Sequence, residues 1–263
     1  MNMDYTFNFP VNAVLLAGGS IKNMPASEPQ VPGKGHILVG NKALGAHTLQ
    51  ALKNSSKIGR VTLVTPLTKE QLDSQWEGVD NVALSGNSLM DSVAAGLNAE
   101  PVSDRPTLLV AGDQPFLTSE AVDDFLLSCA QKPNNVLWYC FVNKKASQAK
   151  YPEVRHTWVK LAEGTYCGGG LTCVRANVLA ALRGVMDTVT RGRKSPLKLA
   201  GILGWKTLLY LLIGRLTVPM AEAAGARLLG LPCCGICSDY AEAAYNIDDW
   251  ESLQQARKRM GDL

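Results

Sequence analysis

The sequence has 263 residues with a formal net charge of +3, and 46% of its residues are hydrophobic. This length and composition suit one large or two small globular domains with an ordinary core, and the small net charge gives no electrostatic basis for nucleic-acid binding. The first ten residues lack the basic and apolar regions of a signal peptide, so the seven cysteines, an odd number, indicate reduced thiols and a cytoplasmic protein.

Strand-like and helical patterns alternate along the first half of the chain. Apolar, β-branched runs predict strands at residues 12–16, 60–65, 81–84, 107–111 and 135–142. Helical patterns lie at residues 43–54, 68–76, 88–99 and 119–130. Because strands that alternate with helices of about ten residues are typical of βαβ units, we predict an α/β fold. Its mainly parallel sheet should be covered by helices on both faces.

The pattern changes after residue 143. Residues 143–156 are polar and predict a loop, and strand patterns recur at residues 157–161 and 170–174. Helices are predicted at residues 175–184, 220–228 and 249–260, and a last pair of strands at residues 231–238 and 245–248. Because these last strands need a sheet to join, we expect one domain over residues 1–263, with a basic and helical insert at about residues 185–230.

The insert has a charge pattern of its own, since residues 188–221 contain six basic and no acidic residues. Arg191 and Arg193 are candidates for binding a phosphate group, either of a substrate or of an anionic lipid headgroup. The apolar stretch that follows predicts a helix buried in the molecule or lying at a partner or membrane surface. Two alternatives stay open for this segment. One is peripheral membrane contact through residues 191–213, and the other is a solvated basic turn beside a packing helix. The most apolar window, residues 201–214, contains Lys206 and is too short to span a bilayer.

Three loops at the predicted carboxyl ends of strands carry candidate ligand-binding groups. Gly18 and Gly19 follow the first strand and suit a turn whose backbone amides bind phosphate, with Lys34 adding a positive charge. Asp113 and Asp248 follow two other strands and are placed to bind Mg²⁺. Each feature taken alone could be an ordinary turn or a helix cap. Together they predict two carboxylates that hold Mg²⁺ opposite a phosphate-binding loop.

These residues resemble the MobA-like nucleotidyltransferases, a family typified by the molybdenum-cofactor guanylyl- and cytidylyltransferases and by methylerythritol-phosphate cytidylyltransferase. Four segments carry the resemblance in the family's order: LAGG at 16–19 with Lys34 after it, GNSLMDSVAAGL at 86–97, VAGDQPFLT at 110–118 and YNIDDWESL at 245–253. The resemblance covers nearly the whole chain outside the insert. It implies a Rossmann-like three-layer α/β/α sandwich with a mixed, mainly parallel sheet, of the nucleotide-diphospho-sugar transferase type.

The resemblance also implies a reaction and a set of site residues. The phosphate of a small phosphorylated acceptor would attack the α-phosphorus of a nucleoside triphosphate, CTP or GTP, and release pyrophosphate, with Mg²⁺ as cofactor. Lys34 and Asp113 would be catalytic, and Asp113 and Asp248 would bind the metal. The nucleotide would contact Leu16, Ala17, Gly18, Gly19, Lys34 and Ser92. The acceptor would contact Gly169, Arg191 and Arg193.

Two arginines of the family pattern are absent from this sequence. One falls on Asn23, and the arginine that the cytidylyltransferases have before the Ser-Val pair falls on Leu89. The loop between Gly19 and Lys34 is also several residues longer than the family's. Lys22, beside Asn23, could supply the missing charge. The alternative reading is a catalytically impaired nucleotide-binding or regulatory protein of the same fold.

Overall fold

The structure, a computed structural model, describes residues 6–101, 105–192 and 204–262, and of residues 186–192 it describes the backbone alone. In chain order the strands are β1 (Val11–Leu16), β2 (Leu38–Val39), β3 (Lys42–Ala43), β4 (Ile58–Thr65), β5 (Asn81–Leu84), β6 (Thr107–Ala111), β7 (Leu137–Asn143), β8 (Val159–Lys160), β9 (Thr165–Val174) and β10 (Cys233–Ser238). The helices are α1 (Leu44–Asn54), α2 (Leu89–Ala99), α3 (Ser119–Ala130), α4 (Lys144–Lys150), α5 (Leu179–Gly192), α6 (Trp205–Leu212), α7 (Val218–Leu229) and α8 (Trp250–Met260).

The main sheet has the strand order β10-β7-β9-β6-β1-β4-β5 within the described residues, with β8 beside β9. β1 pairs in parallel with β4 and β6, β4 with β5, and β7 with β10. Only β9 among these seven runs antiparallel to its neighbours, between β6 and β7. The mixed, mainly parallel sheet expected from the sequence is therefore confirmed.

The side chains of β1 explain why helices cover both faces of the sheet. Ala13 and Leu15 join a core cluster with residues of α1 and α3, whereas Val14 joins a cluster with residues of α2 and α5. All three side chains are fully buried, because successive residues of a strand point to opposite faces. The result is the three-layer α/β/α arrangement predicted above.

Two predicted elements between strands are wrong. The helix expected at residues 68–76 is replaced by two 3₁₀ turns, Lys69–Gln71 and Ser74–Trp76. Thr68 caps the first turn and Asp73 caps the second, and two caps so close together leave no room for an α-helix. The loop expected at residues 143–156 instead begins with α4, because the Asn143 side chain accepts a hydrogen bond from the Lys145 amide at 2.8 Å.

Two predicted strands also differ. β9 begins at Thr165, five residues before the predicted start, because Cys167 and Gly168 continue the pairing with Val142 and Phe141. The strand expected at residues 245–248 is not formed. There the backbone follows a 3₁₀ turn, Ala241–Ala244, and makes an isolated parallel bridge between Lys22 and Asp249.

The described part of the insert comprises the end of α5 together with α6 and α7. Arg193 lies outside the described residues, and the side chain of Arg191 is not described. Among the helices that are described, none is long and apolar enough to cross a membrane. After the insert the chain returns to the main sheet through β10, which pairs with β7. The single-domain assignment stays a prediction.

Candidate functional site

The carboxyl ends of β1 and β6 lie side by side, because these parallel strands are neighbours and Leu16 pairs with Ala111. Just beyond them the Gly112 amide donates a hydrogen bond to the Leu16 carbonyl at 2.8 Å. The loop that follows β1 and the loop that carries Asp113 therefore start from the same part of the sheet edge.

The loop after β1 folds back onto its own starting point. The Lys34 amide donates to the Gly19 carbonyl at 2.9 Å, and the Gly35 amide donates to the Ala17 carbonyl at 3.1 Å. A Cβ atom at Gly35 would lie 2.7 Å from the Cα of Ala17, so this close approach requires glycine. The return of the chain brings Lys34 back to the end of β1.

Lys34 connects two carboxylates from distant parts of the chain. Its ammonium group forms an ion pair with Asp113 Oδ2 and lies 3.3 Å from Asp248 Oδ1. The side chains of Lys34 and Asp113 are 16% and 7% exposed, whereas that of Asp248 is 70% exposed. The structure thus brings together the three charged residues predicted for the site, with Asp113 at the buried end and Asp248 at the solvent end.

Backbone hydrogen bonds position Asp248. The Ile247 amide donates to the Asp113 carbonyl at 3.0 Å, and the Lys22 amide donates to the Asp248 carbonyl at 3.1 Å. Asp249 caps α8 by accepting a hydrogen bond from the Ser252 amide at 2.9 Å, and this bond lowers the pKa of the Asp249 carboxyl. Of the two neighbouring carboxylates, Asp249 therefore belongs to the helix and Asp248 to the site.

Burial and the two carboxylates shift the pKa of Lys34 in opposite directions. Burial by itself would lower the pKa of the ammonium group, but the charges and hydrogen bonds of Asp113 and then Asp248 outweigh it, and the pKa of Lys34 is raised. Burial raises the pKa of Asp113, and the charge of Lys34 opposes that shift. We conclude that Lys34 is a fixed positive charge at the sheet edge.

One carboxylate oxygen of Asp113 has no partner of its own among the described residues. In the described part of the chain, four buried side-chain oxygens have no hydrogen-bond partner: Asp113 Oδ1, Gln114 Oε1, Tyr245 Oη and Asn246 Oδ1. They belong to the two segments that the Ile247–Asp113 hydrogen bond joins. Buried polar atoms are nearly always paired in native proteins, so the unpaired Oδ1 atom of Asp113, whose other oxygen pairs with Lys34, indicates a position that a ligand or an ion completes. Carboxylate oxygens are donors that Mg²⁺ takes, so Asp113 and Asp248 fit this ion.

A cavity of about 360 Å³ lies beside Lys34, between the loop after β1 and the start of α2. Its size is that of a small-molecule pocket. Of the predicted site residues, those that line it are Leu16, Gly18, Gly19, Lys34, Ser92 and Asp113. The sequence reasoning missed the turn at residues 85–88, which forms another wall of the cavity. Ser92 holds this turn, because its hydroxyl accepts a hydrogen bond from the Gly86 amide at 3.1 Å.

Not every predicted site residue lies at the cavity. Ala17 is fully buried and contributes its carbonyl to the bond with Gly35. A Cβ atom at Gly169 would lie 2.8 Å from Cys140 Sγ and 3.0 Å from the Ala243 carbonyl oxygen, so glycine there lets β9 pack closely against β7 and the 3₁₀ turn at Ala241–Ala244. The structure groups the nucleotide and metal candidates near Lys34. Of the acceptor candidates it describes Gly169 in full, whereas Arg193 and the side chain of Arg191 lie outside what it describes.

The two positions where the family pattern has arginine are both accessible. Leu89, the first residue of α2, is 61% exposed and lines the cavity of about 360 Å³. Asn23 is exposed and has a positive φ of 56°. Lys22, which could supply a missing charge, lies beside Asp249, whose carboxyl pKa it helps to lower.

Comparison with known proteins adds independent information. A family model described as the MobA-like NTP transferase domain matches residues 13–201, and a search of curated proteins found no significant match. The fold is similar to a hypothetical transferase structure from Thermus thermophilus, with 28% identity and a TM-score of 0.77, covering 92% of this chain and 99% of that one.

Two further solved structures show the fold alone, since each is 14% identical to this chain. One is 4-diphosphocytidyl-2C-methyl-D-erythritol synthase from Anaerococcus prevotii, with a TM-score of 0.55 and coverage of 97% of this chain and 96% of that one. The other is CMP:2-keto-3-deoxy-manno-octonic acid synthetase complexed with CTP, with a TM-score of 0.55 and coverage of 96% and 98%.

Proposed function

The chain belongs to the MobA-like NTP transferase domain family, and on this basis we propose that it is a Mg²⁺-dependent nucleotidyltransferase that uses CTP or GTP. An oxygen of a small phosphorylated acceptor bonds to the α-phosphorus of the triphosphate. The bond between the α-phosphorus and the oxygen bridging to the β-phosphate breaks, and pyrophosphate leaves. The observation that carries this proposal is the convergence of Lys34, Asp113 and Asp248 beside a cavity of about 360 Å³.

In this proposal Lys34 acts by its charge. The triphosphate occupies the cavity with its phosphates against Gly18, Gly19 and Lys34, all of which line it. A cation that folding has already placed there stabilises the negative charge that develops on the leaving pyrophosphate. Because the acceptor phosphate is itself the nucleophile, the protein supplies positioning and charge and forms no covalent intermediate.

Asp113 and Asp248 are the residues that would hold Mg²⁺, together with phosphate oxygens of the nucleotide. When bound, the ion neutralises phosphate charge and polarises the α-phosphate. Support comes from the buried Oδ1 atom of Asp113, which has no hydrogen-bond partner among the described residues. Lys34 pairs with the other oxygen of that carboxylate.

A second candidate function is nucleotide binding without turnover. The observation that favours it is Leu89, an exposed apolar side chain at the cavity where the cytidylyltransferase pattern has an arginine. Without that cation the site would retain Lys34 and the two carboxylates but lose part of the charge that balances a triphosphate.

The test is pyrophosphate release with CTP, GTP, ATP and UTP and a panel of phosphorylated acceptors, with Mg²⁺ or EDTA. Lys34→Met should lower kcat/KM by roughly a hundredfold or more, because it removes a fixed cation from the reacting phosphates. Lys53→Met is the matched control: Lys53 pairs with Asp80 at 3.5 Å and lies outside the cavity lining, so activity should be unchanged.

Two outcomes would contradict the transfer reaction or its assignment. Stabilisation by a nucleotide and Mg²⁺ in a thermal-shift measurement, with no pyrophosphate released on any acceptor, would favour the binding function. Full activity of Lys34→Met would show that the positive charge at the sheet edge is not used.

A further inference from the structure

The outer face of α6 exposes a row of apolar side chains. Trp205, Leu209 and Leu212 recur at the spacing of one helical face and are 67%, 44% and 76% exposed, and Ile213 beside them is 54% exposed. We refer to these four residues as the α6 stripe. Of the eleven exposed large apolar side chains in the described part of the chain, five lie between residues 205 and 213. This concentration calls for an explanation.

The opposite face of α6 is turned toward the protein, although no residue of α6 is fully buried. Leu211 of α6 lines an apolar cavity of about 450 Å³ together with Phe141, Val159, Tyr166 and Leu216, which follows the helix. A helix that packs through an apolar inner face ordinarily presents a polar outer face to solvent. Since the α6 stripe is apolar as well, packing among the described residues does not account for it.

Cations border the α6 stripe. Lys206 lies next to Trp205, Arg215 follows the turn after α6, and Cε of Lys160 lies 3.3 Å from a Cβ atom built at Gly214 in that turn. None of these three cations forms an ion pair with another described residue. Lys206 and Arg215 belong to residues 188–221, which contain four further basic residues and no acidic one.

An apolar stripe bordered by cations is the pattern of a helix that lies in a membrane interface. We propose that α6 docks the protein on an anionic lipid surface. The α6 stripe enters the interfacial region, and Lys160, Lys206 and Arg215 face the acidic headgroups. The proposal is independent of the transfer reaction, because no residue of α6 lines the cavity beside Lys34.

Charge also decides between a lipid surface and a second copy of the chain. In a two-fold symmetric dimer the same patch faces itself. The cations around one α6 stripe would then meet the cations around the other, and like charges brought together at an interface cost free energy. An anionic surface meets the same cations with opposite charge.

The experiment measures sedimentation of the purified protein with vesicles of pure phosphatidylcholine or of phosphatidylcholine with about 30% phosphatidylglycerol. We expect binding to the anionic vesicles that weakens as salt is added, because exposed charges are screened. Lys206→Glu should lower the partition coefficient by roughly fivefold or more, whereas Lys69→Glu, at an exposed position outside this region, should leave it nearly unchanged.

A matched pair of leucines tests the α6 stripe itself. Leu209 is 44% exposed, and Leu127 on α3 is 46% exposed. Leu209→Glu should lower vesicle binding by about tenfold or more, and Leu127→Glu should not, because only the first places a charge in the apolar contact. Unchanged melting temperatures would show that both variants fold.

Three results would overturn the proposal. The first is equal binding to neutral and anionic vesicles, and the second is equal binding by Leu209→Glu and Leu127→Glu. The third is a dimer in solution that Leu209→Glu converts to monomer, with no binding to either vesicle. That last result would assign the α6 stripe to a second copy of the chain.

Discussion

Asn23 stands where the family pattern has an arginine, and its backbone conformation explains why asparagine is suited to this position. Its φ of 56° lies in the left-handed region, which asparagine tolerates better than most residues. Where the family pattern has an arginine, this chain therefore has a backbone conformation that suits asparagine or glycine. Restoring the arginine at this position would conflict with the local backbone.

We predict that Asn23→Arg lowers the free energy of unfolding by about 1 kcal/mol, because a long side chain is disfavoured at this φ. Asn23→Gly should leave it unchanged or raise it slightly. The measurement is urea denaturation. Ser27→Arg, at another exposed position of the same loop without a positive φ, is the control and should change the value by less than about 0.5 kcal/mol. Equal losses in the two arginine variants would contradict the backbone explanation.

At the residue scale, the candidate site was largely visible in the sequence. Lys34, Asp113 and Asp248 follow apolar runs or glycine turns, and these local patterns indicate a sheet edge. The turn at residues 85–88 was missed, because its contribution to the cavity depends on how α2 lies against β1. The sequence of residues 245–249 does not show whether Asp248 or Asp249 caps α8, because both residues precede the helix.

At the element scale, α2 shows how tightly a helix can lie on the sheet. Gly96 faces β1 and β4, and a Cβ atom there would lie 2.3 Å from Val14 Cγ1 and 2.8 Å from Val64 Cγ2. Both valines are fully buried and have no room to move. The close packing of α2 on the strands next to the site therefore depends on a glycine inside a helix, despite the low helix propensity of glycine.

Gly96→Ala should lower the free energy of unfolding by about 2 kcal/mol, because the overpacking exceeds the gain in helix propensity. Gly184 in α5 is the matched control, since a Cβ atom there would meet no atom of another described element within 4 Å. Gly184→Ala should raise stability by up to about 1 kcal/mol. Thermal unfolding of the two variants against the parent chain measures the difference. If both alanine variants were stabilising, the assigned contact between α2 and the strands would be wrong.

The elements differ in how closely the sequence pattern predicts where they begin and end. The strands β5 and β6 and the helix α3 begin and end where the sequence pattern predicts, because their hydrophobic periodicity and caps are local signals. The extended β9 is different. The predicted strand begins only at residue 170, and pairing with β7 and packing against Gln114 and Cys140 extend it through the glycines before that residue.

At the scale of the whole molecule, histidines set one part of the pH dependence of stability. His36, His47 and His156 are all half buried, and burial lowers the pKa of each below the ordinary value of 6.5. A lowered pKa in the folded state contributes stability above pH 6.5 that is lost as the pH falls through the folded-state value. The free energy of unfolding should therefore decrease as the pH is lowered from about 7.

His47→Gln should make this decrease less steep. The ring Nε2–H of His47 donates to the Val39 carbonyl at 2.8 Å, and a glutamine amide can keep that hydrogen bond without titrating. Urea denaturation at a series of pH values between about 7 and 5.5 provides the measurement. Since His36 and His156 remain, part of the slope should persist. An unchanged slope would mean that His47 has the same pKa in the folded and unfolded states.

The sequence by itself determined the alternation of strands and helices, the three-layer α/β/α fold and the candidate charged residues, because hydrophobic periodicity, caps and glycine turns act over a few neighbouring residues. Only the tertiary structure decided where Asp248 lies. The sequence pattern predicted Asp248 at the end of a strand, but no strand forms there. Instead, the hydrogen bond from the Ile247 amide to the Asp113 carbonyl, which joins residues 134 positions apart in the chain, holds Asp248 beside Asp113. The exposure of the α6 stripe was decided in the same way, since a run of apolar residues does not show which of its faces the rest of the molecule covers.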